Sequence, residues 1–167
     1  MPGLGAAAPK LSIVTYELSD LNVLASKAYR KTLAPLATPQ RREMLEKCPV
    51  MCHFEAEQTL PGRQQGSNKA GGMMMFVMNV SPNVDTEFNA WFDDEHIPAL
   101  ARVPGVLNAR RFRMPLGTHR YLVLYQLTDP AVQATQSWKD GGASPWTERS
   151  EEHTSEVQAL AYLVCRL

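Results

Sequence analysis

The sequence predicts an α+β fold: a complete β-α-β-β-α-β unit over residues 73–167, preceded by a partial β-α-β copy over residues 10–60. Three observations lead there. Candidate strands and helices follow one another in that order after residue 72. A shorter strand-helix-strand series before it repeats the second half of the unit. A polar, glycine-rich run over residues 61–72 separates the two and reads as a linker.

In the first copy, Leu11–Asp20 is the candidate strand, Val23 through Tyr29 the helical stretch, Thr38-Pro39 the break, and a second strand is expected around Val50 to Gln58. The same order recurs at the C-terminal end. Tyr121–Asp129 parallels Leu11–Asp20, Val132 through Trp138 forms the helical stretch, Ser144-Pro145 the break, and Val157 to Arg166 the last strand. Ahead of that second half lies Met73 to Val80, a strand apolar at almost every position, which fits burial on both faces. A helix carrying Phe88 to Leu100 comes next. Val103-Pro104-Gly105 then turns the chain into the strand Val106 to Phe112. The hairpin Gly117-Thr118-His119-Arg120 leads on to Tyr121, with His119 expected at the surface. This is the ferredoxin-like order. Its four-stranded sheet, with two helices on one face, leaves the other face apolar and in need of a partner, so a homodimer is expected.

The helix Phe88–Leu100 is the most informative stretch. At about 100° per residue, Phe88, Phe92, Ala99 and Val103 share one stripe, Glu95 and His96 flank it, and Asn89, Asp93, Asp94 and Ile97 fall away. Pro98 has no N–H, so the Asp94 carbonyl loses its helical partner and the helix should kink or restart just after His96. An imidazole half inside an apolar wall titrates near neutrality and suits acid–base work. The plainer reading is a partly buried histidine satisfied by a backbone carbonyl or by Glu95.

Composition excludes several classes. The 167 residues are 44% hydrophobic and 20% charged with zero net charge, which supports neither nucleic acid nor an anionic membrane as partner. No apolar run approaches the roughly 20 residues that span a bilayer. The N-terminus lacks the basic and apolar regions of a secretory signal, and three cysteines make no disulfide framework, so a cytoplasmic location is expected. Cys48-Pro49-Val50-Met51-Cys52-His53 has one residue too many between its cysteines for haem attachment, and reads as structural. No phosphate loop, nucleophile elbow or clustered metal-ligand set is present, so neither a cofactor nor a metal is expected.

Phe88-x-x-Trp91-Phe92-x-x-Glu95-His96-x-Pro98, followed by Val103-Pro104-Gly105-Val106 and Ala109-Arg110-Arg111-Phe112, resembles the dimeric α/β-barrel superfamily and its EthD-like members. Tyr121-Leu122-Val123-Leu124-Tyr125 and Ser144-Pro145-Trp146-Thr147 fit as well. The resemblance covers about residues 72–167, and the partial copy is similar to the tail of a preceding tandem unit. It implies two ferredoxin-like sheets packed face to face, with a small ligand held between sheet and helices. Members include cofactor-independent monooxygenases of aromatic polyketides, cyclases, lactone isomerases and haem-dependent peroxidases; one scaffold hosts many reactions.

His96 is the expected general acid or base, with Asp93 and Glu95 as candidates to orient it, Asp93 being better placed at three residues' distance. Arg110 and Arg111 alternate along a strand, so one faces the cleft, where it could bind an enolate or carboxylate or pair with Asp93, Asp94 or Glu95. Trp91, Tyr125 and Trp146 are the candidate ring faces for an aromatic ligand. The function expected is that of a small-molecule enzyme of EthD-like type, acting on an aromatic or keto/lactone compound by proton transfer at His96. The alternative is a non-catalytic ligand-binding or assembly module on the same barrel. A haem-binding form fits poorly, because His96 sits on a helix with a carboxylate beside it.

Overall fold

The computed structural model describes residues 13–33, 38–47, 53–146 and 157–166, the last of these as backbone only. Three helices come first: α1 (Asn22–Ala25), α2 (Lys27–Leu33) and α3 (Pro39–Glu46). A short strand, β1 (Glu57–Leu60), follows. The rest is β2 (Gly72–Val80), α4 (Asp85–Trp91), a π turn (Phe92–His96), α5 (Ile97–Ala101), β3 (Val106–Arg113), β4 (Tyr121–Leu127), a 3-10 turn (Pro130–Ala134), α6 (Gln136–Gly142) and β5 (Val157–Arg166).

All strand pairs are antiparallel, and the sheet runs β1-β3-β4-β2-β5. Within the complete unit, the first strand (β2) therefore lies between the third (β4) and the fourth (β5), with the second (β3) beyond β4. That is the ferredoxin-like order, and the fold is α+β. β4 lies at the centre, and all seven of its residues are buried.

The two sheet faces carry separate cores because strand side chains alternate. Met74, Met78, Val80, Ala109, Tyr121, Val123, Tyr125 and Leu127 pack under the helices against Phe88, Trp91, Phe92, Ile97, Leu100 and Val132. Met73, Met75, Val77, Met114, Leu122 and Leu124 cover the opposite face and meet Ile13, Phe54, Ala56 and Phe112. The face the sequence leaves bare is thus covered in part by the chain itself. Gly105, at φ +93°, makes the turn into β3; a Cβ there would lie 2.6 Å from Val132 Cγ2.

The N-terminal copy differs from expectation. Ile13–Leu18 is extended but joins no ladder among the described residues, so the first strand of the repeat is absent there. The second appears later than predicted, as β1, and extends the edge of the same sheet by pairing with β3. Residues 61–71 form neither helix nor strand, and Gly66 and Ser67 hydrogen-bond to Glu17 and Gln126. His119, expected at the surface, is half-buried with its ring edge against Phe54. Cys48 and Cys52 lie outside the described residues. Among the described residues, no helix is long and apolar enough to cross a membrane.

Candidate active site

Pro98 shapes the site. It cannot donate to the carbonyl of Asp94, and the turn just before it widens: the Ile97 N–H reaches Phe92 O, five residues back, in place of four. The helix then restarts at Ile97. The wider turn rotates everything after it. Ile97 and Leu100 enter the core at 2% and 3% exposure, although a regular wheel puts Ile97 outside.

The same turn sets the His96 ring between two aromatic neighbours. Its centroid is 4.6 Å from Trp91 and 4.8 Å from Phe92, at interplanar angles of 41° and 39°. A Cβ on Gly142 would come only to 4.0 Å from His96 Cε1, so α6 leaves room beside the ring. Burial lowers the His96 pKa to about 4. Among the described residues, no side chain or carbonyl hydrogen-bonds to the ring. The partner required by the plainer sequence reading, a carbonyl or Glu95, is not there.

The two carboxylates expected to orient His96 go elsewhere. Glu95 is exposed. Asp93 Oδ1 accepts a bond of 2.5 Å from Arg111 Nη1, which makes it the counter-ion of a guanidinium only 2% exposed. Asn89 Oδ1 accepts from Arg111 Nη2, and the cation lies over the rings of Tyr121 at 4.8 Å, Phe92 at 5.0 Å and Phe88 at 5.6 Å. Arg111 is therefore the arginine on the helix side of the sheet. It is neutralised there and not held ready for a ligand. Arg110 projects from the opposite face and pairs with Glu17 at 2.6 Å, so the His96 site does not include it.

Trp91 and Trp146 stack at 4.5 Å and 15°, with Trp91 Nε1 donating to Ser144 Oγ and Trp146 Nε1 to Glu87 Oε1, both at 3.0 Å. Tyr125 is 1% exposed, with its ring near-perpendicular to that of Trp138 at 5.2 Å. Its hydroxyl has no partner among the described residues, and burial pushes its pKa up. An open cleft of about 340 Å³ lies on the other side of α5, lined by Leu60, Pro61, Gln64, Ile97, Pro98 and Ala101 among others; His96 is not in its wall.

Sequence reasoning missed Asp85, Asn89 and Tyr121. Asp85 accepts from Tyr121 Oη at 2.8 Å and from Arg120 at 2.7 Å, and Asn89 Nδ2 donates to Tyr121 Oη at 3.0 Å. A polar thread thus runs from Arg120 through Asp85, Tyr121 and Asn89 to Arg111 and Asp93. Its signal was the spacing: Asp85, Asn89 and Asp93 stand four residues apart on one helix face.

No family model matches the chain, and no curated protein sequence does. Among solved structures, a candidate antibiotic biosynthesis monooxygenase from Bacteroides thetaiotaomicron is similar over 58% of this chain and 88% of that one, at 19% identity and a TM-score of 0.39. No functional argument follows from a likeness of that size.

Proposed function

We propose that the chain is a small-molecule enzyme of EthD-like type on a dimeric α/β barrel, acting on an aromatic or keto/lactone compound by proton transfer at His96. One observation carries the reading. The His96 imidazole is packed between Trp91 and Phe92, and no described residue takes either ring nitrogen. His96 is only half-buried, and neither ring nitrogen is among the sealed atoms left without a partner, so the nitrogens are open to a ligand entering from solvent. Its lowered pKa keeps the ring neutral near pH 7 and free to accept a proton. Negative charge developing on a substrate beside the ring would raise its proton affinity during the reaction. Orientation of the ring passes from Asp93 and Glu95 to the two flanking aromatics. Trp146, half-buried and stacked on Trp91, offers a ring face for an aromatic ligand.

The second reading, a ligand-binding module without turnover, is favoured by the engagement of Asp93 with Arg111, which leaves the imidazole without a carboxylate. Pairing with a second copy belongs to the same proposal; Val14 and Tyr16, 69% and 81% exposed, leave apolar surface for it.

A thermal-shift screen of small aromatic ketones, lactones and quinol-type compounds tests the site. A true ligand should raise the melting temperature of the wild type and leave His96→Ala unmoved. Chemical conversion of that ligand by the wild type alone marks an enzyme, and its recovery unchanged marks the module. A ligand that shifts both proteins equally would rule out His96 as the site.

A further inference from the structure

The sheet face turned away from the helices holds a second polar cluster, independent of His96. Arg110, Asn108 and Gln126 are buried there at 4%, 6% and 9% exposure. The extended segment Ile13–Leu18 crosses over this face, and its side chains alternate. Ile13 packs against the second core, Glu17 points inward, and Val14 and Tyr16 point out.

Glu17 uses one oxygen for two bonds. Its Oε1 accepts from Arg110 Nη1 at 2.6 Å and from the Gly66 N–H at 2.8 Å. A side chain at residue 66 would crowd the ends of three polar side chains. A Cβ there would stand 2.9 Å from Glu17 Oε1, 3.1 Å from Arg110 Nη2 and 3.2 Å from Gln126 Oε1. Burial pushes the Glu17 carboxyl up, but the Gly66 N–H and Arg110 outweigh it and hold it below its ordinary value. Even so, the site is not saturated. Arg110 Nε is a buried donor without a partner among the described residues, and the Glu17 side chain is 44% exposed.

We propose that the Arg110 guanidinium and the Gly66 N–H form a binding site for a small-molecule carboxylate, of which Glu17 is a tethered, exchangeable occupant. A free carboxylate is not held to one approach by the chain, and can place both oxygens on guanidinium donors, Nε included. Glu17 competes from a segment that joins no β-ladder, which is the kind of element that opens at low cost.

Sodium benzoate and sodium acetate, titrated against sodium chloride at equal ionic strength, are the probes. Removing the tethered competitor in Glu17→Ala should tighten benzoate binding by about tenfold over wild type. The gain should vanish in Glu17→Ala/Arg110→Met and in Glu17→Ala/Gly66→Ala, and should persist in Glu17→Ala/His96→Ala. Should Glu17→Ala fold poorly, Glu17→Gln keeps the segment's shape without the charge and should show a smaller gain in the same direction. Equal affinity for wild type and the Glu17 variants, or binding that survives loss of Arg110, would overturn the proposal.

Discussion

Replacing Asp93 by alanine should destabilise the fold by about 3 kcal/mol, read as a lower urea midpoint at unchanged slope. The reason is the partner left behind. Arg111 is 2% exposed, and Asp93 is its counter-ion in a site otherwise walled by Phe88, Phe92 and Tyr121. Asn89 can still accept one bond, but a neutral amide does not balance a buried cation. Asp93→Ala combined with Arg111→Met should recover much of the loss, because it removes the stranded charge and fills the space with an apolar chain. A residue whose task was to orient His96 would behave differently. Its loss would lower turnover, leave the urea midpoint near wild type, and show no rescue by Arg111→Met.

His96 should make the protein acid-sensitive in a defined window. Above pH 6.5 the imidazole is neutral in the folded and unfolded chain alike and adds no pH dependence. Between pH 6.5 and about 4 the unfolded chain takes up a proton that the folded one refuses, so stability falls as the pH drops. The whole span amounts to about 3 kcal/mol, and below it both states are protonated and the slope ends. His96→Phe keeps an aromatic ring in the slot and should lack this part of the slope. The difference between the two proteins, from urea unfolding at several pH values, removes the carboxylates that titrate in both. Parallel curves for wild type and variant would mean that His96 is not held neutral by burial.

The second half of the chain was legible because each of its elements has a pattern of its own. Met73–Val80 is apolar at every position but Asn79, and the structure buries it on both faces between β4 and β5. The alternation of Arg110 and Arg111 told that they face opposite ways, though not which way. Ile97 was misjudged because a wheel drawn at 3.6 residues per turn carries no wide turn. Pro98 signalled a break in the ladder, but not that the break would be absorbed by a five-residue step. Asp93 was assigned to His96 on helix spacing alone, and a buried guanidinium from β3 claimed it. Pairing of a strand arginine with Asp93, Asp94 or Glu95 was legible in the sequence, but which arginine meets which carboxylate is decided by a contact across the sheet-helix interface. Leu11–Asp20 looked like a strand because it is apolar and β-branched. Propensity does not supply a pairing edge, however, and Ile13–Leu18 lies over the sheet face, not in its plane.

The central claim, that the unpartnered imidazole of His96 is where a small molecule binds, is tested most directly by NMR of the histidine ring nitrogens. They should be followed at pH 7 while the best compound from the thermal-shift screen is added. The imidazole of His96 should report a neutral ring before addition, and its nitrogen resonances should move saturably with ligand while those of His119 stay in place. A His96 ring that is already protonated at pH 7, or that stays unmoved while the ligand binds, would contradict the account.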